Sequence, residues 1–371
     1  MNTHTLKRRF FLISNMYPDN EHPYFGIFVK NTENVLQDNG YKFTMKAVIT
    51  EPNQKSIKKA KTYFNFYMNI LKGIFNKDLF DLIYVHFISH SALPVIILKI
   101  ITRKPLILNV HGSDVIIRGK IAKILSIFSY PLVRICDKIV VPSEYFKDVV
   151  KNKFKITDDK IVVYPSGGID MTVFKPISTV NKKSKQENLV LGYVSRIEYG
   201  KGWDIFIKII KELQQKHTDL FVKGIIIGEG KDKNKCIQMI KDYGLENNIE
   251  YLGGLSQKEI SYYFNLFDIF VFPTRLEESL GLVGLEAMSC KTPVVGSKIG
   301  GIQTYIKNGI NGYLANVDDV SNFVNIIENY INLSEEEKKR IIENAYKTAM
   351  EYDSNLVIKS FVNEIDKIAK E

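Results

Sequence analysis

KIVVPSEYFKDVVKNKFKITDDKIVVY, residues 138–164, places an amphipathic stretch between two apolar, β-branched runs. The runs at 138–141 and 160–164 show almost no alternation, as expected of strands buried on both faces of a parallel sheet. Residues 145–153 between them carry a helical period. The same alternation extends outward in both directions. Strand-like runs stand at 9–14, 43–49, 82–87 and 105–110, with an amphipathic stretch at 28–38. Beyond 175 the texture changes: PISTVNKKSKQEN, residues 176–188, is polar, lysine-rich and aperiodic, which reads as a linker. The alternation then restarts, with strands at 189–195, 222–227, 249–252, 269–272 and 293–296. This predicts an α/β protein of two doubly wound domains, 1–175 and 189–350, joined by 176–188. The end of the chain is helical. Ser334-x-x-Glu337 is a capping box, and Val357, Ile358, Phe361, Val362 and Ile365 form an apolar stripe within 351–371.

Composition agrees. At roughly 150 residues per domain, 371 residues suit two domains or slightly more. Apolar residues at 45% and charged residues at 25% exclude disordered and fibrous classes. Lysine and arginine exceed aspartate and glutamate by 51 to 41, a net charge of +10 that favours nucleic acid, nucleotide phosphates or an anionic bilayer as partners. Cys136, Cys236 and Cys290 are dispersed and form no CxxC, so neither a disulfide framework nor a zinc site is expected, and a reducing cytoplasm fits. Lys7-Arg8-Arg9 ahead of Phe10-Phe11-Leu12-Ile13 imitates a signal peptide, but the apolar run is too short. The longest apolar stretch, 92–101, contains Pro94 and Lys99 and falls well short of the roughly 20 residues that span a bilayer.

The densest chemistry lies in PTRLEESLGLVGLEAMSCKTPVVG, residues 273–296. Glu278 and Glu286 flank Gly281-Leu282-Val283 at a predicted helix start. A buried amphipathic helix with a carboxylate near its N-terminus gives this pattern. So does a long ligand held at two places, with the free N–H groups of the helix start facing an anion. Were the stretch fully helical, eight positions would separate the two backbones by about 12 Å. Paired glycosidase carboxylates sit roughly 5–9.5 Å apart, so the two are not expected to share one anomeric centre. The second cluster, Ser195-Arg196-Ile197-Glu198-Tyr199-Gly200-Lys201-Gly202, follows a predicted strand directly. Ligands of open α/β sheets bind beyond the carboxyl ends of strands, and two cations flanked by glycines there suit a diphosphate.

With these motifs in view, the chain resembles the retaining nucleotide-sugar glycosyltransferases of family 4, which have two Rossmann-like domains facing across a cleft (GT-B). LEESLGLVGLEAM resembles that family's E-x7-E element and SRIEYGKG its diphosphate loop. YPDNEHPYFGIFV at 17–29, HGSD at 111–114, YPSGGID at 164–170 and YLGGL at 251–255 match in order, so the resemblance runs over residues 10–370. It implies transfer of a sugar from a nucleoside diphosphate to an acceptor hydroxyl, in capsule, O-antigen, exopolysaccharide or teichuronic-type assembly. It also implies a closing helix that packs back on the first domain.

By the same resemblance, Glu278 contacts the transferred sugar and Glu286 the ribose hydroxyls. Arg196 and Lys201 offset charge on the departing diphosphate, helped by backbone amides at Gly281 and Leu282. Leu255 borders the base, Gly26 lets the first domain close on the donor, and His111 lies over the sugar. Taken alone, a histidine after an apolar run is more often structural. His86, also at a strand end, suits core packing or a surface role as well as a site. Trp203 is expected to pack the helix after the basic loop. The implied mechanism needs no metal and no cofactor, and the chain holds no Asp-x-Asp. Three departures stand out: Ser279-Leu280 for Pro-Phe, Ser195 for Gly, and Lys291 at a position commonly Gly in a tight turn.

Other readings remain. Gly228-Glu229-Gly230 follows a strand, but Lys233 replaces the third glycine of a dinucleotide fingerprint. A nucleotide-sugar 2-epimerase shares the architecture. A non-catalytic basic membrane- or nucleic-acid-binding protein would use the charge, although no nucleic-acid motif appears. Lys58-Lys59-Ala60-Lys61 precede Tyr63, Phe64, Phe66, Tyr67, Ile70, Leu71, Ile74 and Phe75. That pattern describes an interfacial helix on anionic lipid and a core-facing helix equally well. The first would place the protein at the inner face of the cell membrane, within reach of a glycan or lipid-linked acceptor.

Overall fold

A computed structural model describes residues 8–52, 56–112, 114–115, 126–178 and 188–370. The chain forms two compact units. One is built from the sequence up to Gly167 together with Val357 onward, the other from Gly168–Leu356.

The first unit holds a parallel sheet of β1 (Arg9–Ser14), β2 (Lys42–Val48), β3 (Leu82–His86), β4 (Leu106–Asn109), β5 (Lys138–Val141) and β6 (Ile161–Val163), in the order β2-β1-β3-β4-β5-β6. Strand side chains alternate between its two faces. Phe11, Ile13, Val85 and Leu108 meet α2 (Ser56–Phe75), α3 (Ile88–Thr102), α4 (Ser129–Ile135) and α5 (Glu144–Phe154), after α1 (Ile27–Asp38) has gone to the other side. There Phe10, Leu12, Tyr84 and Val140 meet α1 and the closing helix Ser354–Lys370. Phe361 of that helix stacks on Tyr164, ring centroids 4.0 Å apart, and Tyr41 bonds Asp366 at 2.5 Å. The apolar strand runs appear within one residue of their expected limits. β2 is the exception to full burial: as an edge strand it leaves Lys42, Thr44 and Lys46 exposed.

The second unit holds β7 (Asn188–Val194), β8 (Phe221–Ile227), β9 (Ile249–Gly253), β10 (Ile269–Phe272), β11 (Val294–Ser297) and β12 (Tyr313–Ala315), in the order β12-β11-β10-β7-β8-β9. Its helices are α6 (Trp203–Lys216), α7 (Lys233–Asp242), α8 (Gln257–Leu266), α9 (Leu282–Ser289), α10 (Ile302–Tyr305), α11 (Val320–Ile331) and α12 (Glu335–Met350). The Ser334–Glu337 capping box opens α12. β12 has three residues, too few to show a period in sequence. The unit boundary falls at Gly167–Gly168, ahead of the composition change at 175, because Ile169 and Phe174 are buried in the second unit's core. Asn265 then holds the strand of chain beyond them, accepting from Ile177 N at 2.8 Å and donating to Lys175 O at 3.0 Å. Of the expected linker, residues 179–187 lie outside the described residues.

In both parallel sheets the strand order reverses once. β1 lies between β2 and β3, and β7 lies between β8 and β10. The carboxyl ends of β1/β3 and of β7/β10 are therefore switch points, where doubly wound sheets leave a crevice.

Candidate functional site

In the second unit, both motif-rich segments emerge at that switch point. Residues 195–202 follow β7 and residues 273–281 follow β10. Glycines let the two loops touch. A Cβ on Gly202, whose φ is +77°, would lie 1.8 Å from the Pro273 carbonyl oxygen. Arg275 N donates to Gly200 O at 2.8 Å. Behind them, Gly228 and Gly230 press against the Ser195 and Ile197 carbonyls, where a Cβ would come within 1.9 and 2.3 Å. The G-x-G that suggested a dinucleotide fingerprint thus shapes the basic loop.

Lys201 reaches across the contact. Its Nζ lies 2.7 Å from Glu278 Oε1, which also accepts from Thr274 Oγ1 at 2.9 Å. The two side chains are only 13% and 14% exposed, so the pair is held in place and not splayed into water. Arg196, expected beside Lys201, points elsewhere: it pairs with Glu198 at 3.0 Å, and its side chain is 67% exposed. Adjacent positions on a short turn gave Arg196 a nearer carboxylate.

Glu278 sits in a loop, not in a helix. α9 starts at Leu282, after Gly281 at φ 82°, where the helix start was expected, so the spacing of a continuous helix does not apply between Glu278 and Glu286. Gly300 and Gly301 set this loop: a Cβ at either would come within 2.8 Å of the Glu278–Leu280 backbone, and Gly301 N donates to Glu278 O at 2.8 Å. Buried Tyr305 donates to Gly281 O at 2.9 Å, fixing the helix start. Gly281 and Leu282 there present first-turn N–H groups that lack partners within the helix. The Glu286 carboxyl, one turn on, makes no hydrogen bond or ion pair among the described residues. Desolvation pushes its carboxyl up to about 7. Leu255, after β9, packs against the unit's core at the edge of the same sheet.

Sequence reasoning passed over Arg275. Its guanidinium grips Asp204 at 2.6 and 2.8 Å, bonds Tyr199 O at 2.7 Å and lies 4.1 Å over the Tyr199 ring. It also pairs with Asp318. These partners lie 76, 71 and 43 positions away in sequence, so no local spacing announced them. Trp203 is buried at the start of α6, in agreement with a packing role. The turn at Lys291 does form, at φ 59° without a glycine, and the lysine ammonium pairs with Glu343 at 2.6 Å.

In the first unit, Gly26 has φ +73° and caps α1, and a Cβ there would meet the Met16 and Tyr17 backbone at 2.6–2.8 Å. Local packing already requires this glycine. His111 follows β4 and His86 ends β3. His86 Nδ1 and His111 Nε2 lie 2.8 Å apart, with the ring planes nearly parallel at 11°. Phe28 and Phe87 close on His111 at 4.5 and 4.9 Å. Burial lowers both histidines, His111 to about 3. The bond between them therefore joins two neutral rings. Asp114 holds the turn, accepting from His111 N at 2.9 Å and Ile88 N at 3.3 Å, and burial raises it to about 6.

The sequence model described as Glycosyl transferases group 1 matches residues 175–348, and that described as Glycosyltransferase Family 4 matches residues 38–171. An uncharacterized glycosyltransferase of Methanocaldococcus jannaschii is 28% identical over 349 residues, covering 89% of this chain and 91% of the relative. A D-inositol 3-phosphate glycosyltransferase of Paenarthrobacter aurescens is 30% identical over 177 residues, covering 46% of this chain and 43% of that protein. The crystal structure of HepE from Anabaena in complex with UDP has a TM-score of 0.75 at 19% identity, covering 97% of this chain and 100% of that one. At such identity the likeness shows the fold. The two sequence models follow one another over more than four fifths of the chain, and the chain belongs to the GT-B glycosyltransferases of the group 1 and family 4 type.

Proposed function

We propose that this glycosyltransferase moves a sugar from a nucleoside diphosphate to an acceptor hydroxyl with retention of anomeric configuration, without a metal, in the cytoplasmic assembly of a surface polysaccharide. The observation that carries the reading is the Lys201–Glu278 pair at the β7/β10 switch point, with the Glu286 carboxyl, unpaired among the described residues, on the helix that follows. Lys201 supplies fixed positive charge for the diphosphate, and the start of α9 supplies N–H groups beside it. Arg196, exposed on the same loop, turns from Glu198 to the phosphates. Glu278 accepts from the sugar's hydroxyls and Glu286 from those of the ribose, while Leu255 borders the base.

In the transfer step the C1–oxygen bond to the diphosphate breaks, and the leaving oxygen keeps the electron pair. The acceptor oxygen bonds C1 on the same face, and its proton passes to that leaving phosphate oxygen. Because HepE was crystallised with UDP, uridine diphosphate is the first donor nucleotide to test. A thermal-shift panel of UDP, GDP, ADP, CDP and NAD in EDTA tests the reading. One diphosphate at 100 times its Kd stabilises by about 2.7 kcal/mol. A shift by NAD alone, or by none of the five, contradicts it.

A further inference from the structure

Three neighbouring helices of the first unit share a property that the donor site does not use. Residues 56–75, 88–102 and 126–135, which contain α2, α3 and α4, include no aspartate or glutamate. All three pack on the same face of the sheet through Phe66, Ile70, Val95, Leu98 and Leu132. Their outer sides are apolar. On α2, Ile57, Phe64, Met68 and Phe75 recur at intervals of seven, four and seven, one stripe at 3.6 residues per turn, opposite the buried Phe66 and Ile70. Phe64 is 64% exposed and Phe75 88%. On α3, Leu93, Ile97, Ile100 and Ile101 form a second outward stripe, with Ile100 63% exposed. One side of α2 faces the core, and the side opposite it is apolar and exposed.

From this we infer that the α2–α4 face lies on an anionic phospholipid bilayer. Charge selects that occupant. Lys61 and Lys72 flank the α2 stripe on the same side of the helix, are exposed and make no ion pair among the described residues, and exposed Arg134 adds to the charge of the three helices. Long lysine stems lie along an apolar surface while their ammonium groups reach phosphate. A second copy docked on the same face would bring these cations against one another with no carboxylate from the three helices to meet them. An acidic bilayer meets both the cations and the apolar stripes. No described helix is long and apolar enough to cross a membrane, so the contact is peripheral.

Flotation of the full chain with phosphatidylglycerol/phosphatidylcholine vesicles tests this. The wild-type protein floats with the mixed vesicles at low salt and not with phosphatidylcholine alone. Phe64→Ser/Ile100→Ser and Lys61→Glu/Lys72→Glu each lower the bound fraction at least tenfold. Lys339→Glu/Lys347→Glu, an equal charge change at exposed residues of α12, leaves it unchanged. No flotation at low salt, flotation equal in all variants, or a concentration-dependent dimer abolished by Phe64→Ser/Ile100→Ser would each overturn the inference. Nucleotide binding by the same variants stays at the wild-type level, so failure here is distinct from failure of the donor site.

Discussion

Lys201 Nζ and Glu278 Oε1 lie 2.7 Å apart and tie the loop after β7 to the loop after β10. Removing one partner strands a charge in a site that is mostly shut off from water. Lys201→Met is expected to destabilise the protein by about 2–3 kcal/mol, and Lys201→Met/Glu278→Met to recover more than half of that. Urea denaturation of the two single variants and the double variant measures the coupling. Sugar transfer is lost in all three, because stability returns with the double change and the cation does not.

Glu286 gives the donor site a pH dependence. Its folded-state carboxyl is raised from 4.5 to about 7 by burial, so the folded protein holds this proton more tightly than the unfolded chain. That contribution is full below pH 4.5 and is lost as pH rises through 7. Glu286→Gln is therefore expected to be more stable than wild type at pH 8, by about 1–3 kcal/mol, and little different at pH 4.5. Nucleotide affinity moves the other way. The ionised carboxylate is the better acceptor for ribose hydroxyls, so wild-type affinity for the diphosphate rises between pH 6 and 8, and that of Glu286→Gln stays flat. Denaturation and titration at the three pH values check both signs.

The His86–His111 bond predicts two imidazoles that do not titrate near neutrality. Both folded values are depressed by burial, so their contribution is full above the unfolded value near 6.5 and is lost as pH falls towards about 3. Asp114, raised to about 6, works in the opposite sense over the upper part of that range. Nitrogen chemical shifts of the two rings should remain those of neutral histidine down to pH 5. Protonation of either ring above pH 6 would contradict the pairing.

Glycine contacts separate the two loops from ordinary turns. Gly202→Ala places a methyl 1.8 Å from the Pro273 oxygen, whereas Gly244, at φ +65°, has nothing within 4 Å of a Cβ. Gly244→Ala is expected to cost about 1 kcal/mol from backbone strain alone. Gly202→Ala should cost at least three times as much and abolish nucleotide binding, since the loops must part. Equal denaturation midpoints for the two variants would show that the loop contact is soft.

The strand pattern was legible because each run was contiguous and apolar, and limits within one residue followed from that. Glu278, Lys201 and Glu286 could be chosen in advance because they flank glycines directly after strands or at a helix start. What holds them was hidden. Arg275 finds Asp204 and Asp318 only through tertiary folding, 71 and 43 positions away. Gly300 and Gly301 looked like any loop glycines until the Glu278 backbone lay against them. Arg196 stands apart from Lys201 for a local reason, since Glu198 lies two residues on and offers a partner at 3.0 Å. On α2, apolar residues occur all round the helix, so which side faced the core needed α3 beside it.

Calorimetric titration of the diphosphate identified by the thermal-shift panel into wild type, Glu278→Gln and Glu286→Gln, in EDTA at pH 8, tests the assignment of the two carboxylates most directly. Glu278→Gln should bind the nucleotide within about threefold of wild type, because the sugar hydroxyls assigned to Glu278 are absent from the diphosphate, and Glu286→Gln should bind at least tenfold more weakly. Equal affinities in the two variants, or weaker binding by Glu278→Gln, would contradict the proposed division of the site.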